Sequence, residues 1–180
     1  MENELPRRHK IEKLDKIIPD AYHGTDFESA QEIVETSKFL PSKGEDSYLG
    51  NGVYFFEGSE LEAKNWAIGK NKLNYAVLQA TVFLGKCLNL NIIEHRRLVT
   101  SMFNYLLKTR GMPKINDALV INILAQISPI DTVRATYCQP GQGKLFNFSR
   151  FFNYISPMVC VRNTNNIKEI KFAEYGAVRK

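Results

Sequence analysis

The side chains best suited to chemistry lie in two short motifs about thirty residues apart. They are Ala21-Tyr22-His23-Gly24-Thr25 and Tyr48-Leu49-Gly50-Asn51-Gly52-Val53-Tyr54-Phe55-Phe56, followed by Ala63-Lys64-Asn65-Trp66-Ala67. The His23 imidazole can bond a ribose hydroxyl. Gly24, with no Cβ, lets backbone groups approach a carboxamide. Tyr54 and Trp66 offer ring faces on which a nicotinamide can stack. In this order the segments suit a site that holds a nicotinamide dinucleotide and cleaves it rather than reducing it. Each residue also has a plainer reading. A lone histidine near a strand end is often a structural hydrogen-bonder. Tyr54 and Trp66, the chain's one tryptophan, could simply fill the core.

Gly50-Asn51-Gly52 is not a Rossmann loop. That fingerprint needs a strand before the glycines and a helix after them, and here an aromatic strand follows. A tight turn that delivers Tyr54 is the expectation. His9, His23 and His95, with Cys87, Cys138 and Cys160, show no metal-ligand spacing, so no metal is expected. In Lys144 to Tyr154, the residues Phe146, Phe148, Phe152 and Tyr154 share one parity, with Arg150 among them. If extended, they form either a buried strand face or a stacking surface for bases beside a basic groove.

The elements that must carry these residues are legible in outline. Ala21 to Thr25 reads as a strand, and Asp26 caps a helix through Ser37. Phe39 to Gly50 reads as a loop, Val53 to Phe56 as a strand, and Ser59 to Gly69 as a capped helix. Tyr75 to Leu90 is the strongest strand pattern, broken at Gly85-Lys86. Ile93 to Ser128 is helical in two pieces. Leu98, Met102, Tyr105 and Leu106 form one apolar face; Leu119, Ile123, Leu124 and Ile127 form the other. Strands follow at Thr132 to Cys138, Met158 to Arg162 and Ile167 to Phe172, with a turn at Gln139 to Lys144. Met1 to Asp20 reads as a charged arm, either a docking helix carrying Ile11, Leu14, Ile17 and Ile18 or a frayed tail. The remainder, 21–180, reads as one domain.

The chain has 180 residues and a net charge of +5. That length supports one domain with a substantial core. The mild basic bias permits an acidic partner such as nucleic acid. No apolar run approaches a bilayer span, and the N-terminus lacks a signal-peptide core. Three widely spaced cysteines fit free thiols in a reducing compartment. A cytoplasmic protein with no membrane partner is expected.

These motifs resemble the ADP-ribosyltransferase superfamily, in the His-Tyr branch that includes diphtheria toxin and the poly(ADP-ribose) polymerases. In that branch one strand carries His-Gly-Ser/Thr and a second carries Gly-x-Gly-Val/Ile-Tyr-Phe. The resemblance covers about Ala21 to Leu90 and resumes at Met158 to Asn163. It implies an α+β fold: two small, mostly antiparallel sheets with surrounding helices, NAD between them, and a helical-pair insertion at about 93–128. It implies that His23 binds the adenosine ribose and Gly24 the carboxamide. Thr25 would contact ribose, Tyr54 would stack on nicotinamide, and Trp66 would form a second wall. The family's third motif usually supplies a glutamate at the start of a late strand. The matching stretch, Tyr154-Ile155-Ser156-Pro157-Met158-Val159, has no carboxylate. Gln139 and Gln142 on the preceding turn, or a carboxylate supplied by the substrate, would take its place.

The function so implied is mono-ADP-ribosyl transfer from NAD to a macromolecule, without a metal. Nucleic acid is the favoured target class, RNA slightly over DNA, with Phe148, Arg150 and Tyr154 as target contacts; protein is the other class. Proteins of this type are often toxins or phage and antiphage effectors, so an antitoxin or inhibitor protein is an expected partner. The alternatives are an NAD glycohydrolase and an inactive module that binds NAD, ADP-ribose or a protein.

Overall fold

The computed structural model describes residues 11–43, 47–70, 74–110, 115–136 and 157–177. The elements are β1 (Lys13–Thr25), α1 (Phe27–Thr36), β2 (Val53–Glu57), α2 (Glu60–Lys70), β3 (Asn74–Asn89), α3 (Ile93–Arg110), α4 (Asp117–Ile127), β4 (Thr132–Ala135), β5 (Met158–Val161) and β6 (Ile167–Ala177). The helix starts follow local chemistry. The Asp26 side chain accepts from the Ser29 amide at 2.7 Å, and Asn116 accepts from the Leu119 amide at 2.9 Å. Each satisfies an amide that the first helical turn leaves without a partner. Ser59 does the same for Glu62.

The fold is α+β, but the expectation of two sheets is corrected. The strands form one six-stranded sheet in the order β1-β2-β5-β4-β3-β6, and an added β1–β3 pairing closes five of them into a ring. Among the described strands only β3–β4 is parallel. The cause is β3. Its 16 residues are long enough to pair with β1, β6 and β4 in turn. The change of partner falls at Gly85, which sits at φ 56°. A Cβ there would meet the Asp131 carboxylate at 2.6 Å. Asp131 ties the bend, accepting from the Lys86 amide at 2.9 Å, while Thr132 Oγ1 donates to the Leu84 carbonyl at 2.6 Å.

Strand alternation divides the core. Phe55, Leu78, Val82, Val159 and Val161 pack with Ala30 and Ile33 of α1. Phe56, Val77, Leu88, Val133 and Cys160 pack with Ala63 of α2, Met102 and Leu106 of α3, and Val120, Ile121 and Leu124 of α4. The helical pair at 93–128 is thus no appendage, because it closes one side of the sheet. Its second helix is turned by about one position from the expected face. Val120, Ile121 and Leu124 are buried, whereas Ile127 is exposed.

The N-terminal arm is also corrected. From Lys13 onward it belongs to β1, not to a helix or a frayed tail. Register shifts between Leu14 and Ile17 and between Ile18 and Ala21 break the alternation of this strand. The broken alternation imitates helical spacing.

Candidate functional site: a cleft where two strands part

β1 and β2 pair only at Ala21–Glu57 and Tyr22–Phe56. Beyond Tyr22, β2 continues along β5, with Tyr54 opposite Cys160 and Phe56 opposite Met158. A cleft of about 360 Å³ opens at this parting. Its lining includes His23, Gly24, Thr25, Tyr54 and Trp66, so the structure brings together all five residues proposed to hold the dinucleotide.

His23 bridges the gap between the strands. Its Nδ1 lies 2.8 Å from the Tyr54 carbonyl oxygen. A carbonyl can only accept, so Nδ1 carries the proton and Nε2 is the ring's acceptor. The Phe39 and Phe55 rings pack against the imidazole, with centroids 5.4 and 5.5 Å away. Burial lowers the His23 pKa from its ordinary 6.5, with the Tyr54 bond opposing the shift. The ring is therefore neutral at pH 7.

A pH effect follows, and its sign is fixed. The unfolded chain takes up a proton on this histidine below about 6.5, before the folded protein does. Stability from the buried neutral ring is full above that pH and is lost as pH falls toward the depressed folded value. Wild type should lose melting temperature between pH 7 and 5 more steeply than His23→Gln. Parallel thermal melts across that range check this; equal slopes would exclude the neutral buried ring.

The Tyr54 hydroxyl is used internally. It donates to the Gly50 carbonyl at 2.7 Å and accepts from the Leu49 amide at 2.9 Å. Burial raises its pKa far above the ordinary value. The phenol stays protonated, and what Tyr54 offers the cleft is its ring. Tyr48 packs edge-on against it at 5.6 Å. Cys160 donates to the same Gly50 carbonyl at 3.6 Å, and burial pushes this thiol up to about 12. The buried Cys87 thiol is raised as well, so neither cysteine is an activated nucleophile.

The expected turn is present. The Gly50 amide donates to the Ser47 carbonyl at 2.7 Å, and Gly50 has φ 85°. A Cβ on Gly52 would strike Cys160 Sγ at 2.5 Å. Gly52 lets the loop press against β5, and Gly50 lets it approach Asn122 and Ile121 of α4. Gly24 has a related reason: a Cβ there would land on the Ala63 carbonyl oxygen and crowd Ala67 Cβ at 3.1 Å. It is small because α2 crosses β1 at that point.

Trp66 is not core. It lies on the cleft side of α2, 39% exposed. Lys70, one turn later, holds its ammonium 5.1 Å from the indole centroid. Thr25 lines the cleft and donates to Asp26 at 3.4 Å. Gln139, Gln142, Phe148, Arg150 and Tyr154 lie outside the described residues. Among the described residues no aspartate or glutamate lines the cleft, and no group of three or more acidic, histidine or cysteine side chains could hold a metal. No described helix is long and apolar enough to cross a membrane.

Sequence reasoning missed Lys70 and Asn122. The Asn122 side chain, on α4, accepts from the Asn51 amide at 2.9 Å and donates to Asn51 Oδ1 at 3.1 Å. Arg162 Nη1 donates to Asn122 Oδ1 at 2.8 Å. This buckle fastens the loop that clamps the Tyr54 hydroxyl. Asn122→Ala would leave the Asn51 amide and Arg162 without this partner. Leaving such groups unsatisfied costs about 1–3 kcal/mol. A lowered melting temperature with the NAD dissociation constant largely kept is expected, because the Tyr54 ring stays in place; urea melts and NAD titration check the two. The helical period of α4 gives no hint of this role, though Asn122 interrupts the apolar run Leu119-Val120-Ile121.

No family model matches the chain. It is 36% identical over 183 aligned positions to Uncharacterized protein MJ0359 of Methanocaldococcus jannaschii. The alignment covers 84% of this chain and 85% of the archaeal protein. The similarity thus extends over more than four fifths of both chains, and the protein belongs to the same family as this archaeal one.

Proposed function

We propose that this protein is a mono-ADP-ribosyltransferase that binds NAD in the cleft between β1 and β2. One observation carries the reading. Five residues chosen from separate sequence motifs line a single cleft, with His23 neutral and its Nε2 an acceptor. A ribose hydroxyl is a donor suited to Nε2. Tyr54 and Trp66 supply two aromatic surfaces for a flat ring. Lys70 brings positive charge toward a pyrophosphate. The described cleft matches a nicotinamide-ribose half better than the whole dinucleotide. The chain's contribution is positioning and exclusion of water, with the acceptor's nucleophile attacking the ribose carbon as nicotinamide leaves.

A toxin or phage-related effector role, with a neutralising protein partner, is part of this proposal and rests on the resemblance. The preference for a nucleic-acid target, RNA ahead of DNA, rests instead on the net charge of +5 and on the aromatic-and-arginine stretch from Lys144 to Tyr154 in the sequence. A second reading has its own support. The cleft has no carboxylate among the described residues, which suits a module that binds NAD or ADP-ribose without transferring it.

The test is incubation with labelled NAD and cell lysate. Label on a macromolecule supports transfer, and nuclease or protease then identifies its class. Free ADP-ribose would mean hydrolysis. Unchanged NAD would leave the binding module.

A further inference from the structure

A second groove, of about 510 Å³, lies toward the opposite end of β1. Its lining includes Lys13, Lys16, Ile17, Phe83, Asp131 and Lys168. Ile17 and Phe83 are directly opposed across the β1–β3 pairing. Both are large apolar side chains left open, 47% and 41% exposed. As a cross-strand pair the two side chains stabilise the sheet by packing on each other, and their outer surfaces remain open to a ligand. The register shift between Leu14 and Ile17 explains how the successive residues Lys16 and Ile17 both reach the groove. In an even strand they would point to opposite faces.

The charges are sorted by their partners. Lys13 is 3.8 Å from Asp15. Asp131 is occupied by the Lys86 amide and by Asn163 Nδ2 at 3.1 Å. Asp15 and Asp131 line the groove too, but neither forms an ion pair with Lys16 or Lys168, which line it together with Ile17 and Phe83. An open aromatic ring and two lysines in one groove suit a chain of anions that also carries flat bases.

We propose that this groove docks the single-stranded nucleic acid that the transferase reading takes as its target, stacking a base on Phe83 with phosphates at Lys16 and Lys168. The proposal rests on the target class given above but concerns a separate surface. Ile17 and His23 are six residues apart on β1, roughly 20 Å at about 3.3 Å per residue. At about 3.4 Å per stacked nucleotide, that is roughly six nucleotides. An oligonucleotide of about twelve can therefore cover the groove and extend along β1.

Binding of a fluorescent single-stranded RNA of about twelve nucleotides, without NAD, tests it by anisotropy over a salt series. Wild type should bind with a steep salt dependence. The Lys16→Gln, Lys168→Gln double variant should lose about 0.7 of log–log salt slope per lysine. Phe83→Ala should weaken binding roughly 5- to 150-fold with the slope kept. An NAD-induced thermal shift, measured on the same variants, should match wild type. That shift reports the NAD reading separately from the groove. The proposal is overturned if wild type binds no RNA, if the variants bind as wild type does, or if duplex RNA binds equally well. It is also overturned if heparin binds as tightly as RNA while Phe83→Ala changes nothing, which would leave a plain polyanion surface.

Discussion

Gly24→Ala is expected to destabilise the protein by about 3 kcal/mol or more, the upper end of overpacking costs in a filled interior. The added methyl would occupy the Ala63 carbonyl oxygen, and Ala67 Cβ bars the other direction. Both neighbours belong to α2, and Ala63 and Ala67 are fully buried. Backbone cannot rotate aside as a side chain can, so α2 must lift from β1. Trp66 and Lys70 ride on that helix and line the cleft. For a chain of this length the loss corresponds to roughly 6–12 °C in melting temperature. NAD binding should fall with it. Thermal melts of the two proteins check the first effect and NAD titration the second. A variant as stable as wild type would mean that α2 does not cross β1 so closely.

Tyr54 carries the second large effect, and two substitutions divide it. Tyr54→Phe keeps the ring but removes the hydroxyl that serves the Leu49 amide and the Gly50 carbonyl. Each group left without a partner costs about 1–3 kcal/mol, unless water replaces it. Tyr54→Ala removes the ring as well, for a cost of about 3–5 kcal/mol if the site were fully buried. Stability should fall in both, further in the alanine variant. NAD affinity should be largely kept by phenylalanine and lost by alanine, because the proposal assigns the stacking role to the ring and the hydroxyl is already engaged by Leu49 and Gly50. Denaturant melts with parallel NAD titrations separate these outcomes. Equal loss of affinity in both variants would assign the binding role to the hydroxyl.

Some of this could be read from local sequence. His23, Gly24 and Tyr54 stand in short motifs with glycines at fixed offsets, and such geometry is encoded within a few residues. The helices announced themselves through Asp26 and Ser59 as caps. The closed ring was not legible. Whether β3 pairs with one strand or three depends on partners far away in sequence, and only the Gly85 break hinted at a change. The first half of β1 does not look like a strand in sequence, because its register shifts free it from strict alternation and its apolar residues Leu14, Ile17 and Ile18, with Ile11 just before it, stand at a helical interval. Asn122 carried no signature, since its partners Asn51 and Arg162 are 71 and 40 residues away. Lys70 looked like an ordinary helix-end cation. The glycine at position 24 was legible as a close approach, but the body that approaches it in the fold is α2.

The central claim is that the parting of β1 and β2 holds NAD through His23. Calorimetric titration of NAD into the purified protein at pH 7.5 tests it most directly, with His23→Ala alongside. Wild type should bind one NAD. The alanine variant should bind roughly 5- to 150-fold more weakly, since a lost hydrogen bond with its partner left unsatisfied is worth about 1–3 kcal/mol. No heat with wild type, or the same dissociation constant for a folded His23→Ala, would contradict the account.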